Sequence, residues 1–411
     1  MATTNPNPPT SQCAVCKVPT SKHCKRCAEG VDVDGALAQT FYCSITCQTA
    51  DFPTHKAVCR SANDRKQLYR GGELLQKVFY AFREVAFDLE ICDIKKTGND
   101  IHFYDPATGL KKGPLFPFPN NDSLTTDDKH AILTFSACGD GLAYMHELIE
   151  KVMEGIGSTT QPLTEIITNM KGTKRTVWHH GLNGVSHNNQ TITHQFLQAQ
   201  LKNGERYAID MSGAQYGLYS AVAPMQKYLD QHIDLRRFSI RAFGEAKEDI
   251  KKLVDPSLAK PGFDQRMCVM HILAAQAMNS AVEMWESTGH SVVALLKDTR
   301  ANFEIGTEAL VEAVTMRVDG HIKYLQTREA DMWEVVKVPK APGKGTHNSD
   351  IPVLVADAAE ATDVDPAATA KEQWAKGPGD MIHSLVSQFE GANITCYSAD
   401  GQGGVVRFDV H

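Results

Sequence analysis

No run of eighteen apolar residues occurs anywhere in the 411-residue chain, so the sequence predicts no helix of the kind that crosses a membrane. The first twelve residues, MATTNPNPPTSQ, lack the apolar stretch of a secretory leader. They are expected to form a disordered tail, and the protein is expected inside the cell, in cytoplasm or nucleus. Basic charge is scarce as well. The net charge is −7, and its distribution is uneven: residues 1–60 carry six Lys/Arg against four Asp/Glu, the remainder 36 against 45. A body this acidic lacks the positive footprint needed to follow a nucleic-acid backbone, so nucleic acid is not expected as the main partner. No internal repeat is present.

Cysteine is distributed just as unevenly. Of eleven, seven fall between Cys13 and Cys59, and only Cys92, Cys138, Cys268 and Cys396 lie beyond. In a reducing compartment such crowding favours metal over disulfides. The ligand-type residues form four short-spaced pairs: Cys13/Cys16, Cys24/Cys27, Cys43/Cys47 and His55/Cys59. Each spacing lets two side chains of one turn reach a single ion, and eight ligands make two closed tetrahedral zinc sites, which are structural. A segment of about fifty residues builds little core. Zinc is therefore expected to supply most of its folding free energy, roughly 10–16 kcal/mol apparent per site. Spacing alone leaves open which pairs share an ion.

The order Cys-x-x-Cys, Cys-x-x-Cys, Tyr-Cys-x-x-x-Cys-Gln, His-x-x-x-Cys closely resembles the MYND zinc finger, with every ligand position filled. In that family the pairs interleave. The resemblance therefore implies a cross-brace, with Cys13, Cys16, Cys43 and Cys47 on one zinc and Cys24, Cys27, His55 and Cys59 on the other. It also implies a protein-binding module for short proline-containing peptides, using Gln48 and the position of Phe52, where the family carries Trp. SET-domain methyltransferases also contain MYND fingers. Only twelve residues precede this one and no Asn-His-Ser-Cys segment follows, so that reading is set aside.

Beyond the finger, apolar spacing predicts a helix over 63–87, a hairpin over 96–105 and a helix from Cys138 to Gly155. It also predicts a hairpin around Asn203-Gly204, a long buried helix over 265–285, and a mixed helix or strand over 301–318. The expected organisation is a finger (13–60), an α+β body (61–338), a linker or long loop (339–372) and a short C-terminal unit (373–411) ending in the strand VVRFDV.

Cys138 interrupts an apolar run and opens a helix, where the dipole's positive end favours a thiolate. A nucleophilic thiol needs a base, and the base an orienting group. His194 and Asp210 lie on the two arms of the Asn203-Gly204 hairpin. A two-residue turn puts them on opposite faces; a three-residue loop, Lys202-Asn203-Gly204 with Gly204 left-handed, puts them on one face within reach. This arrangement resembles the papain-like superfamily, in particular its transglutaminase-like and arylamine N-acetyltransferase branch, across about residues 120–220. It implies a helix-plus-antiparallel-sheet core, with Cys138 attacking a carbonyl, His194 as general base then acid, and Asp210 orienting it. The chain departs from that pattern at Gly139, where the branch has Trp, and in the 56 residues separating Cys138 from His194.

Other residues invite weaker readings. One of His179 and His180 in Trp178-His179-His180 could line a pocket, since strand neighbours face opposite ways. His271 sits in an apolar helix and reads as a core histidine; Cys268, one turn earlier, could pair with it on a metal, but no second pair is evident, and the acidic run at 357–365 reads as a solvated loop. Two functions follow from the whole. One is a zinc finger fused to a thiol-dependent acyltransferase or hydrolase of unspecified acyl substrate; the other is a non-enzymatic, zinc-dependent adaptor.

Overall fold

The computed structural model describes residues 11–106, 115–154, 156, 163–181, 184–254, 263–328, 394–399 and 405–410. Two short antiparallel strands, β1 (Ser11–Gln12) and β2 (Pro19–Thr20), open the finger. The first long element is α1, Ile45–Val85. Ser44 caps it by accepting from the Cys47 N–H at 3.2 Å, the usual device for a helix start. The helix thus begins well before the Asn63 expected from apolar spacing, and it runs through Pro53. Proline removes one intrahelical bond. The carbonyl left without a partner belongs to exposed Thr49, where water can serve it. Downstream, Leu68, Leu74, Leu75, Val78, Phe79 and Phe82 are fully buried, so α1 is both the last piece of the finger and the central helix of the body. Gly71 and Gly72 admit its neighbours closely. A Cβ at Gly72 would lie 2.3 Å from a Val222 methyl, and one at Gly71 would lie 2.8 Å from a Val152 methyl.

The hairpin β3 (Asp93–Thr97) and β4 (Asp100–Tyr104) turns at Gly98, whose φ is +61°, as the Thr-Gly-Asn sequence predicts. Next come α2 (Thr126–Leu133), with a Thr125/Asp128 capping box, then α3 (Cys138–Tyr144) and α4 (His146–Met153). One continuous helix was expected over these last two; the chain breaks at fully buried Met145. Then β5 (Thr164–Met170), β6 (Val177–His180), β7 (Ser186–Asn188), β8 (His194–Gln200), β9 (Arg206–Ile209) and β10 (Val222–Pro224) follow. The helix α5 (Met225–His232) leads into β11 (Ile233–Ala242) and α6 (Glu245–Leu253).

These strands form two larger sheets. One has the order β10-β9-β8-β5-β11 and is antiparallel throughout. The other has the order β3-β4-β6-β7, with β4 and β6 parallel. On one face of the five-stranded sheet Leu197, Ala199, Tyr207 and Ile209 join the main core with α1 and α3; on the other, Ile166, Phe196 and Ala208 pack with Met225 and Tyr228 of α5.

Three helices complete the body: α7 (Phe263–Ser287), α8 (Val292–Lys297) and α9 (Arg300–Arg328). The ambiguity over 301–318 resolves as helix. Phe303, Leu310, Val314, Val318, Ile322 and Leu325 are buried at three-, four- and seven-residue intervals, the period of one helical face. His271 is a core histidine as expected, with Nε2 donating to the Ala86 carbonyl at 3.0 Å. Among the described residues no helix is long and apolar enough to cross a membrane. The architecture is mixed helix and sheet with an N-terminal finger. The expected linker at 339–372 and the acidic run at 357–365 lie outside the described residues. So does most of the C-terminal unit, of which an antiparallel pair is described, β12 (Ile394–Ala399) and β13 (Val405–Val410).

Candidate functional site

The β8–β9 ladder pairs Leu197 with Ile209, Gln198 with Ala208 and Gln200 with Arg206, which is the register of the three-residue loop. Gly204 has φ +89°, a conformation that favours glycine. The loop tip is tied to α1: the Arg65 guanidinium makes a two-pronged bond to Glu205 at 2.5 and 2.8 Å, and Asn203 Nδ2 donates to Ser61 Oγ at 3.1 Å. The Arg65 bonds outweigh partial burial and hold Glu205 down at about 2.

This register brings His194 and Asp210 together. His194 Nε2 donates to Asp210 Oδ2 at 3.0 Å, and both side chains are buried. Asp210 also accepts from the Tyr228 hydroxyl at 2.6 Å and from the Ser212 N–H and Oγ at 3.0 and 3.3 Å. Burial by itself would raise this carboxyl, but the His194 charge and these donors hold it below the ordinary carboxylate range. On His194, burial works against the charged ring. The Asp210 carboxylate outweighs it, the neighbouring Cys138 adds to the effect, and the imidazole is pushed up to about 10. Tyr216 stands edge-on to the ring at 4.9 Å. A Cβ at Gly213 would fall 2.6 Å from Asp210 Oδ2, so only glycine lets the chain close around that carboxylate.

Cys138 is the first residue of α3, 6% exposed, with its sulfur 3.6 Å from the Thr193 carbonyl at the mouth of β8. The turn that delivers it passes through Ser136 at φ +57°, a left-handed conformation uncommon outside glycine. Buried Gln215 holds that turn by accepting from the Ser136 N–H at 3.2 Å, while its amide donates to the Ser212 carbonyl at 3.3 Å. One side chain thus links the cysteine's turn to the loop that carries Asp210. A cleft of about 510 Å³ opens beside Cys138, lined among others by Ser136, Asp140, Thr193, Gln195 and Arg241. Burial pushes the Asp140 carboxyl up to about 6, against the opposing charge of Arg83. Trp178, His179 and His180 do not line this cleft. On β6 the two histidines face opposite ways, His180 to His102 at 2.9 Å and His179 to Asp105 at 2.7 Å.

In the N-terminal segment, Cys13, Cys16, Cys43 and Cys47 form one cluster and Cys24, Cys27, His55 and Cys59 another, with the ligand atoms of each within 4.8 Å of one another. Four thiolates in one and three thiolates plus an imidazole in the other are donor sets suited to tetrahedral zinc. The small core of this segment is composed largely of the ligands themselves, with Tyr42 and Ala62. All four residues of the second cluster are buried, whereas Cys16 of the first is exposed. The clusters fit two zinc ions.

Residues 13–59 match the MYND finger. No curated protein and no solved structure matches the chain. MYND fingers generally mediate protein–protein interaction. On this MYND finger Phe52 is 49% exposed and Ile45 81%, while Gln48 is half-buried on α1.

Sequence reasoning missed Gln195, Gln215, Gly213, Tyr228 and Arg241. Gly213 carried a faint signal through its closeness to Asp210 in the chain. Arg241 carried none, because β11 joins β5 only through the folded sheet.

Proposed function

We propose that the chain performs thiol-dependent acyl transfer, or amide or ester hydrolysis, at Cys138, with the MYND finger as a separate protein-docking module. The observation that carries this reading is the buried His194 ring, held between Asp210 and Cys138, the second of which lines a cleft. Nδ1 of that ring is buried with no hydrogen-bond partner, which leaves it available for proton exchange with a sulfur. Such bonds commonly tighten only when substrate is bound. In the proposed sequence the sulfur attacks a carbonyl carbon and the thiol proton resides on His194. The leaving group departs with that proton as its bond to carbon breaks, giving a thioester. Water or another nucleophile then attacks the thioester, loses its proton to His194, and the carbon–sulfur bond breaks as the thiol regains that proton. Asp210 holds the ring in place throughout.

Reaction with iodoacetamide at neutral pH, read by mass spectrometry, tests this. Cys138 is expected to be alkylated ahead of Cys92 although Cys92 is exposed and Cys138 buried, and His194→Ala is expected to remove that preference. Faster labelling of Cys92 in the unaltered protein would leave the chain an adaptor.

The exposed ring of Phe52 beside Gln48 supports the second module, for short proline-containing peptides. Phe52→Ala is expected to weaken a proline-rich peptide about five- to tenfold, the effect of one modest anchor. Unchanged affinity by calorimetry would move the docking surface elsewhere.

A further inference from the structure

We propose that Gln195 donates a hydrogen bond to the oxyanion formed when Cys138 attacks a carbonyl, and that Arg241 is the positioning residue that aims it. The proposal rests on the acyl-transfer reading above. Gln195 follows His194 on β8 but points to the other face of the sheet, into the cleft. Its amide lies over Gly139, the residue after the proposed nucleophile. A Cβ built there would sit 3.1 Å from Gln195 Nε2, 3.5 Å from its Cδ and 3.6 Å from Oε1, so the nitrogen is the nearest atom. Here the chain carries glycine where the resembled branch carries Trp, and the space is occupied by an amide.

Which end of the amide is oxygen follows from its partner. Arg241 Nη2 lies 3.3 Å from Oε1, and a guanidinium has only donors, so that end must accept. The NH₂ end is thereby turned toward Gly139, and among the described residues Nε2 has no acceptor. Arg241 is itself immobilised. Its guanidinium is paired with Asp249 and with fully buried Glu165 at 3.0 Å, and Glu165 also accepts the N–H groups of Gly244 and Ala246 at 2.9 Å. The cation is neutralised by these two carboxylates, so its part is to orient the amide. A donor fixed before the reaction, without an acceptor and facing the residue that follows the attacking cysteine in the same cleft, is what a developing alkoxide requires. As the sulfur–carbon bond forms, the carbonyl π pair moves onto oxygen and is received by the N–H of Gln195. The N–H proton stays on nitrogen, and the pair returns to the carbonyl when the leaving group departs.

The test compares two reagents on the full zinc-loaded chain. Iodoacetamide alkylates sulfur by displacement and forms no oxyanion; p-nitrophenyl acetate acylates it through one. Gln195→Met, nearly isosteric, is expected to slow acylation of Cys138 by 10²–10³-fold, the effect of removing one such donor, with alkylation within twofold. Arg241→Met is expected to slow acylation in the same selective way but by less. Should Gln195→Met melt far below the unaltered protein, Gln195→Glu, which keeps the shape and loses the donor, is read instead. Acylation unchanged in the Gln195 variant overturns the proposal. Acylation and alkylation falling together also overturn it, since the side chain would then act on the thiol or imidazole. An unaltered protein whose Cys138 is preferentially alkylated, yet acylated no faster than free cysteine, overturns the proposal and leaves the thiol reading standing. Failure of both reagents to prefer Cys138 over Cys92 sinks the acyl-transfer reading and this proposal with it.

Discussion

Cys59→Ala is expected to unfold residues 13–59 while leaving the body folded. Cys59 is a buried ligand of the second cluster, and the core it belongs to consists of little besides ligands. With no apolar core to fall back on, losing a ligand forfeits a large part of the roughly 10–16 kcal/mol apparent that a structural zinc supplies. The Cys59 position also connects the two halves of the finger. Asn63 Nδ2 donates both to the Cys59 carbonyl at 2.8 Å and to the Arg26 carbonyl at 3.0 Å. The body is expected to survive because α1 beyond Leu68 is held by its own buried stripe. Two measurements check this: zinc per chain, expected to drop from two to one or none, and amide exchange, expected to accelerate over 13–59 but not over 74–85. Retention of two zinc ions with unchanged exchange would remove the structural role assigned to the second site.

Asp210→Ala is expected to destabilise the protein by about 3–5 kcal/mol, because it leaves an imidazole buried without its counter-charge. The pH dependence has a definite sign. His194 is raised from an ordinary value of 6.5 to about 10, so its stabilisation is fully present below about 6.5 and is lost as pH rises toward 10. Asp210 is lowered from 3.8, so its contribution is present above that value and is lost as pH falls through the depressed one. The pair therefore stabilises most between about 4 and 6.5 and weakens on both sides. In Asp210→Ala, burial acts on His194 without the opposing carboxylate, and the alkaline decline should largely disappear. Melting temperatures of both proteins at pH 5, 7, 9 and 10 are expected to converge as pH rises. A difference that stays constant from pH 6 to 10 would show that the pair is not charged in the folded protein.

The residues of the finger could be read from the chain because zinc ligation is local: two ligands within one turn leave their spacing in the sequence, and four such pairs in order specify eight ligands. The helical start at Cys138, where an apolar run is interrupted, and the hairpin at Asn203-Gly204 were legible for the same reason, since apolar spacing and turn chemistry act over a few residues. Which pairs share an ion, and which of two registers the hairpin adopts, were not. A one-residue change of register turns every side chain to the other face, and the choice made here accompanies contacts between distant segments, among them Arg65 with Glu205 and Asn203 with Ser61. The extent of α1 was hidden by Pro53, a local signal against helix overridden where exposed Thr49 lets water take up the missing bond. Arg241 and Gln215 belong wholly to the tertiary structure. The contacts that give them their places, Arg241 with Glu165 and Gln195, and Gln215 with Ser136, join segments far apart in the chain, and no local pattern records a contact that exists only once the sheet has closed.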